Sequence, residues 1–266
     1  MNTMAAATRA ELTKIFTLRS VWIATGVILA LQVVVMLQTA RLFADAVANI
    51  TPDGTIEIFI DQPQPATGAI LDLLVSSSLQ IGLFLPVLAA MIAGQEFRSG
   101  QLGLTVLAVP RRGRMLAAKL LATASYVLLL AILIAGVSTA FMYDAVKDWN
   151  PDLLLTGAAF LGHGRFVAFA VLFSLTVFAI TLIARSTLTG IVVAVALTVV
   201  TMTQIVARTL PDLDALLPLS AARNLLLDAD VSRLTAGRAH GLIALAGWTV
   251  ATAVIAGLTL GRKDAR

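Results

Sequence analysis

Six stretches of the chain, residues 21–42, 69–93, 120–141, 166–184, 188–207 and 242–260, are apolar and almost free of charge. The hydrocarbon core of a bilayer is about 30 Å thick and is crossed by about 20 residues of α-helix. Within it every backbone polar group must be satisfied inside the segment, which leaves helices and closed barrels as the spanning structures. Runs this long and this uniform predict an all-α membrane protein with six transmembrane helices in a single domain, residues 1–266. Composition agrees: 59% of the residues are hydrophobic, 13% are charged and mean hydropathy is +0.93. A soluble domain carries about 25% charged residues.

The charge that exists is sorted by side. With the N-terminus inside, the inner segments hold Arg9, Lys14, Arg19, Arg98, Arg111, Arg112, Arg114, Lys119, Arg185, Arg262, Lys263 and Arg266 against Glu11, Glu96 and Asp264. The outer segments hold most of the carboxylates. Lysine and arginine concentrate on the cytoplasmic side of membrane proteins, so both termini are expected in the cytoplasm. The net charge of +4 therefore reflects helix flanks, and nucleic-acid binding is not expected. Arginine outnumbers lysine by 15 to 4, which hints at a high-GC bacterium and so at the inner (cytoplasmic) membrane. A signal peptide competes for the first run, with Ala44-Asp45-Ala46 as a cleavage site. Signal cores run about 7–15 residues, however, and this run is longer.

Between the runs, residues 1–20 are modestly amphipathic, with Leu12, Ile15 and Phe16 on one face, as in a helix lying in the membrane interface; a plain basic flank is the alternative. Pro52-Asp53-Gly54 marks a turn, and Ile56, Ile58 and Ile60 alternate with polar residues as in a short strand. Pro86 predicts a kink in the second run. Arg185-Ser186-Thr187 leaves room only for a tight helical hairpin. In the outer loop, 208–238, the stretch LSAARNLLLDADVSRL is a second amphipathic segment, able to dip into the interface.

Six charged residues, Glu96, Arg98, Arg111, Arg112, Arg114 and Lys119, gather in GQEFRSGQLGLTVLAVPRRGRMLAAKLLA, residues 94–122. Gln101–Val109 reads as a helix with Leu102, Val106 and Val109 on one face, and Pro110 stops it because the residue before a proline leaves the helical region. A short helix along the cytoplasmic face is a lever on which another protein can push; an interfacial loop held by arginine–phosphate contacts is the alternative.

This stretch resembles the first cytoplasmic loop of ABC-2-type transporter permeases, in which Glu, an aromatic, Gly, a short helix ending in Pro, basic residues and Ala-Lys recur in that order. AELTKIFTLRSVW is similar to that family's N-terminal connecting segment, and LPLSAARNLL to its last outer loop. One departure is Gln101-Leu102, where the family often has Thr followed by Leu or Ile. The resemblance implies a permease that pairs with a second permease copy and carries two separate ATPase subunits on its cytoplasmic side. The 95–119 loop would be the coupling loop, with Glu96, Arg98, Gln101, Leu102, Leu104, Thr105, Val109, Pro110 and Arg111 at the ATPase contact.

Absences point the same way. The chain has no phosphate-binding Gly-x-x-x-x-Gly-Lys-[Ser/Thr] loop, so ATP and Mg are expected in the partner ATPase, with no catalytic residue and no cofactor in this chain. Its two histidines, His163 and His240, are far apart, and no metal is expected. There is no cysteine. The runs lack the ionisable groups from which proton relays are built, Asp72 coming nearest, so energy is expected from elsewhere. A self-sufficient channel or secondary carrier, and a non-transporting component of a signalling or assembly complex, are the rival readings.

Two polar stripes remain. In the second run Ser76 and Gln80 share a helix face with Asp72, with Ser77 alongside; in the fifth, Thr198, Thr201 and Gln204 share another. Polar side chains this deep face protein or a water-filled cavity. They serve as interhelical hydrogen-bond glue or line a path, and the resemblance implies that spans two and five line the cleft of a dimer. A path with few charges suits a hydrophobic or amphipathic cargo such as a drug, lipid or peptide antibiotic, with membrane lipids as the surrounding partner.

Overall fold

The computed structural model describes residues 3–57, 63–98, 112–227 and 234–262, and these are almost wholly helical. Five helical segments are long and apolar enough to cross a membrane, so the chain is an all-α, multi-pass membrane protein. Helix α1 (Thr3–Thr17) leads into α2 (Arg19–Ala48), whose 30 residues reach about 45 Å at 1.5 Å per residue. A turn with Gly54 at φ +76° follows, then a two-residue antiparallel ladder of β1 (Thr55–Ile56) and β2 (Gln64–Pro65). The expected turn and strand start are both present. Ile56 is buried against Ala66 and Ala69, while Ile58 and Ile60 lie outside the described residues.

The second span is made of α3 (Ala66–Gly82) and α4 (Leu85–Arg98), interrupted at Leu83 and Phe84 just before Pro86. Proline has no N–H to give the carbonyl four residues back, so the break falls where the sequence placed the kink. Next come α5 (Arg112–Val146), a 3₁₀ helix (Pro151–Leu155) and α6 (Gly157–Ala184). Helix α5 has 35 residues, about 52 Å, and so overshoots a core about 30 Å thick. Helix α6 is the hub. Phe166, Phe169, Phe173 and Val177 are fully buried, and α3, α4, α5, α7 (Thr187–Thr203) and α11 (Arg238–Arg262) pack around it.

The packing is close where side chains are small. A Cβ on Gly94 would strike the Thr187 hydroxyl, and one on Gly190 the Thr181 hydroxyl, which fixes α4, α6 and α7 against one another. Small residues that let backbones approach are the usual means of helix association in lipid. The hairpin between α6 and α7 is as tight as expected: Arg185 turns the chain at φ 53°, and Ser186 caps α7 by accepting from the Thr189 amide at 3.2 Å.

Two expectations meet a different outcome. The fifth run does not continue as one helix to residue 207. Helix α7 ends at Thr203, Gln204 is left-handed at φ 53°, and α8 (Ile205–Thr209) restarts the chain. Its 17 residues reach about 25 Å, short of a full core. The run is dense in Val and Thr, whose branched side chains lower helix propensity, so little opposes the stop. The second difference is the segment LSAARNLL. After α9 (Pro211–Leu216) it forms α10 (Pro218–Leu226), every residue of which is buried against α6, α7 and α11. Gly241 makes this possible, because a Cβ there would strike the Ala221 carbonyl. The segment is thus sunk in protein instead of resting on a surface.

Candidate functional site

The ends of α4 and α5 bracket residues 99–111. Gln101, Leu102, Leu104, Thr105, Val109, Pro110 and Arg111 therefore lie outside the described residues. Glu96 and Arg98 occupy the last turn of α4, with their side chains also outside that description.

What surrounds the bracket is well built. Helix α1 lies along the start of α5, and Lys119 Nζ stands 3.0 Å from Glu11 Oε1, with only 4% of the lysine side chain exposed. Lys14 reaches the same carboxylate at 3.3 Å. The Gln95 amide donates to Ser20 Oγ at 2.7 Å, tying α4 to α2. Below these, Trp22 Nε1 donates to the Phe16 carbonyl, Phe16 meets the Tyr126 ring edge-on at 5.5 Å, and the Tyr126 and Thr25 hydroxyls are 2.7 Å apart. Glu11, Lys14, Gln95, Lys119 and Thr123 share a cavity of about 80 Å³, and Thr123 Oγ1 has no partner among the described residues. Ile15, Leu18, Ile92 and Phe178 complete a largely apolar lining around these polar groups, and the space has room for water.

The Glu11–Lys119 pair was not anticipated, although a signal for it existed. Lys119 sits inside the apolar run MLAAKLLA, where a buried ammonium needs a carboxylate. Only Glu11, Glu96 and Asp264 are acidic among the segments expected on the inner side. Desolvation makes such a pair a modest net stabiliser, yet removing either partner leaves the other charge less well compensated.

The two polar stripes lie in different surroundings. Ser76 is half-buried and donates to the Leu73 carbonyl at 3.1 Å; Ser77 is buried and donates to the Leu74 carbonyl at 2.8 Å; Gln80 is exposed. Thr198 donates to the Ala194 carbonyl at 2.9 Å. Thr201 is 1% exposed, and its hydroxyl has no partner among the described residues. Gln204, half-buried, is the left-handed residue that ends α7. Among the described residues no hydrogen bond joins one stripe to the other.

A third polar group was missed. Gln32 of α2, fully buried, donates to Ser138 Oγ of α5 at 2.8 Å, and Ser78 of α3 donates to the same oxygen at 2.8 Å. Gln32 interrupts the apolar run LALQVVVM, which was the available signal.

At the far end of the bundle a second network closes over α10. Asp214, 1% exposed, accepts from Ser220 Oγ at 2.8 Å and from Thr235 Oγ1 at 3.1 Å. The buried Asn224 accepts from the Thr235 amide at 3.2 Å. Trp248 Nε1 of α11 donates to the Leu216 carbonyl at 2.7 Å. No family model matches the chain, and no curated protein matches it either.

Proposed function

We propose that the chain is the membrane-spanning permease subunit of an ATP-driven exporter of the ABC-2 type, working as one of a pair with two ATPase subunits. On this reading α7 to α9 complete a sixth crossing, both termini lie in the cytoplasm of a bacterial cell, and residues 101–109 form the coupling helix. Hydrolysis belongs to the partner. Its stroke would push the coupling helix, and the permease pair would alternate between inward and outward access to pass a hydrophobic or amphipathic cargo.

The observation that carries the reading is the buried Glu11–Lys119 brace. A lever transmits a push only if its ends are anchored. Here α1 is held to α5, and α4 to α2, next to the two points where the 99–111 segment begins and ends. A loop with no mechanical task has no need of such a frame.

The test is isolation of the tagged chain from its native membranes with a search for a bound ATPase, joined to transport by reconstituted complexes. Leu104→Glu and Glu96→Ala are expected to uncouple transport or shed the ATPase while insertion stays normal. Normal transport with ATPase bound in both variants would end the coupling assignment. Orientation is tested separately, by cysteines introduced into this cysteine-free chain. Gly113→Cys, at an exposed position, is expected to react with an impermeant reagent only in opened cells, and Asp53→Cys and Asp212→Cys in intact ones. Asp212 serves here where its neighbour Asp214 is buried.

A further inference from the structure

Where α5 ends and α6 begins, a groove of about 950 Å³ opens between the two helices and the 3₁₀ helix that links them. Binding pockets for drug-sized molecules span ~300–1,000 Å³, so this is a large one. Its length along α5, from Ile132 to Tyr143, is about 16 Å at 1.5 Å per residue. That is about half of a ~30 Å hydrocarbon core, the depth of one leaflet. The groove is deep because its floor is small: Gly136 on α5 and Gly164 on α6 both line it, and a Cβ on either would meet nothing within 4 Å.

The chemistry of the wall is graded. The deeper part is aliphatic, whereas Tyr143, Phe160 and Asp152 gather at the end where the helices terminate. Asp152 is the only formally charged residue in the lining, and among the described residues no cation pairs with it. The nearby Lys147 is engaged by Asp144 at 2.7 Å, and that hydrogen-bonded carboxylate holds its ammonium above the ordinary lysine range. Midway, Thr139 gives its proton to the Ala135 carbonyl at 2.9 Å and so accepts from His163 Nε2, also at 2.9 Å. His163 Nδ1 has no partner among the described residues. The wall therefore offers acceptors, aromatic faces and a carboxylate, with no cation of its own.

We propose that this groove is a binding site for a single-chain cationic amphiphile drawn from the leaflet it faces, the outer one in the orientation given above. The chain lies along the aliphatic floor over Gly136 and Gly164. The cationic head sits between Tyr143 and Phe160, against Asp152, where aromatic faces and a carboxylate attract a quaternary ammonium. Binding of this kind requires no ATPase, so it stands or falls apart from the transport reading.

The experiment is equilibrium binding of radiolabelled dodecyltrimethylammonium to the purified chain in zwitterionic nanodiscs, with empty nanodiscs as baseline. Saturable binding is expected, about tenfold tighter than that of dodecyl phosphate, which has the same tail and the opposite charge. Gly136→Leu and Gly164→Leu fill the floor without a clash at Cβ and replace glycine within a helix, so both should fold and lose the saturable component. Asp152→Asn should keep binding but lose most of the preference for the cation. Three results would each overturn the site: uptake no greater than in empty nanodiscs, equal affinity for the two head groups, or unchanged binding in both glycine variants.

Discussion

The two ends of the helix bundle are closed in different ways. Where α4 ends and α5 begins, closure among the described residues includes a buried ion pair between residues remote in sequence, Glu11 and Lys119, beside a small cavity. At the other end, Asp214, Ser220, Asn224 and Thr235 bond to one another within a short stretch of chain, and α10 is buried along its whole length. A long-range charged strut with space beside it can shift between packings, because the cavity leaves its side chains room to re-pair. A local network of hydroxyls around one carboxylate, wrapped in close backbone packing at Gly241, resists any change short of unfolding. Motion is therefore expected at the braced end, with the far end as the fixed plug.

The largest effect should come from breaking the strut. Lys119→Met or Glu11→Gln alone breaks the buried pair, at an expected cost of about 3 kcal/mol, the low end for such a pair because Lys14 also reaches Glu11. Thermal unfolding in nanodiscs measures it. The double variant Glu11→Leu with Lys119→Met should recover most of that loss, since an apolar pair of similar volume often matches a buried ion pair. If the double variant is stable yet transport is lost, the strut serves motion; if transport also recovers, it serves only folding.

The plug should be the next most sensitive region. Asp214→Leu deprives the Ser220 and Thr235 hydroxyls of their acceptor, at about 2–3 kcal/mol. Hydrogen exchange should then spread through α10 and leave α1 untouched. Exchange that rises equally at both ends would mean that the ends are one cooperative unit and that the contrast drawn here is false.

Smaller still is the effect expected at Thr201, whose buried hydroxyl has no partner among the described residues. Thr201→Val keeps the shape and removes the orphan group, so stability should hold or rise slightly. Transport lost at unchanged abundance would assign that hydroxyl to the path, whereas unchanged transport would leave Thr201 as packing.

How far all this could be read from the chain depends on the kind of signal each feature leaves. The crossings were legible because hydrocarbon demands long apolar runs, and Pro86 because a missing N–H breaks a helix wherever it stands. The burial of α10 was not legible: an amphipathic LSAARNLL has the same pattern whether its polar face meets headgroups or Asp214 and Thr235. The pairing of Glu11 with Lys119 left half a trace, a lysine in an apolar run, without naming its partner. Ser138 left none, since a serine that bridges Gln32 and Ser78 resembles any other serine in a span. Residues 101–111, where the coupling contact is expected, were the sharpest motif in the sequence and lie outside the described residues.

A further small effect concerns the two non-glycine residues that are left-handed among the described residues, one at each end of α7: Arg185 at φ 53° before it and Gln204 at φ 53° after it. A side chain in this conformation costs about 1–2 kcal/mol through the clash of Cβ with the following carbonyl. Glycine removes that cost but gives back about 0.5–1 kcal/mol in the freedom the unfolded chain gains. Each change to glycine should therefore stabilise by about 0.5–1 kcal/mol if backbone strain is all that matters. At Arg185 the hairpin is pinned on both sides by the Ser186 cap and by Gly190 against Thr181, so the full gain is expected. At Gln204 no side-chain hydrogen bond caps the following helix, and α8 is only five residues long with none of them buried. There glycine frees the joint as well as relaxing it, so the gain in unfolding temperature should be smaller than at Arg185, with faster amide exchange across Ile205–Thr209. Equal gains at the two positions, with α8 exchange unchanged, would show that the break in α7 is as rigid as the hairpin and that the plug begins at Gln204 instead of at Asp214.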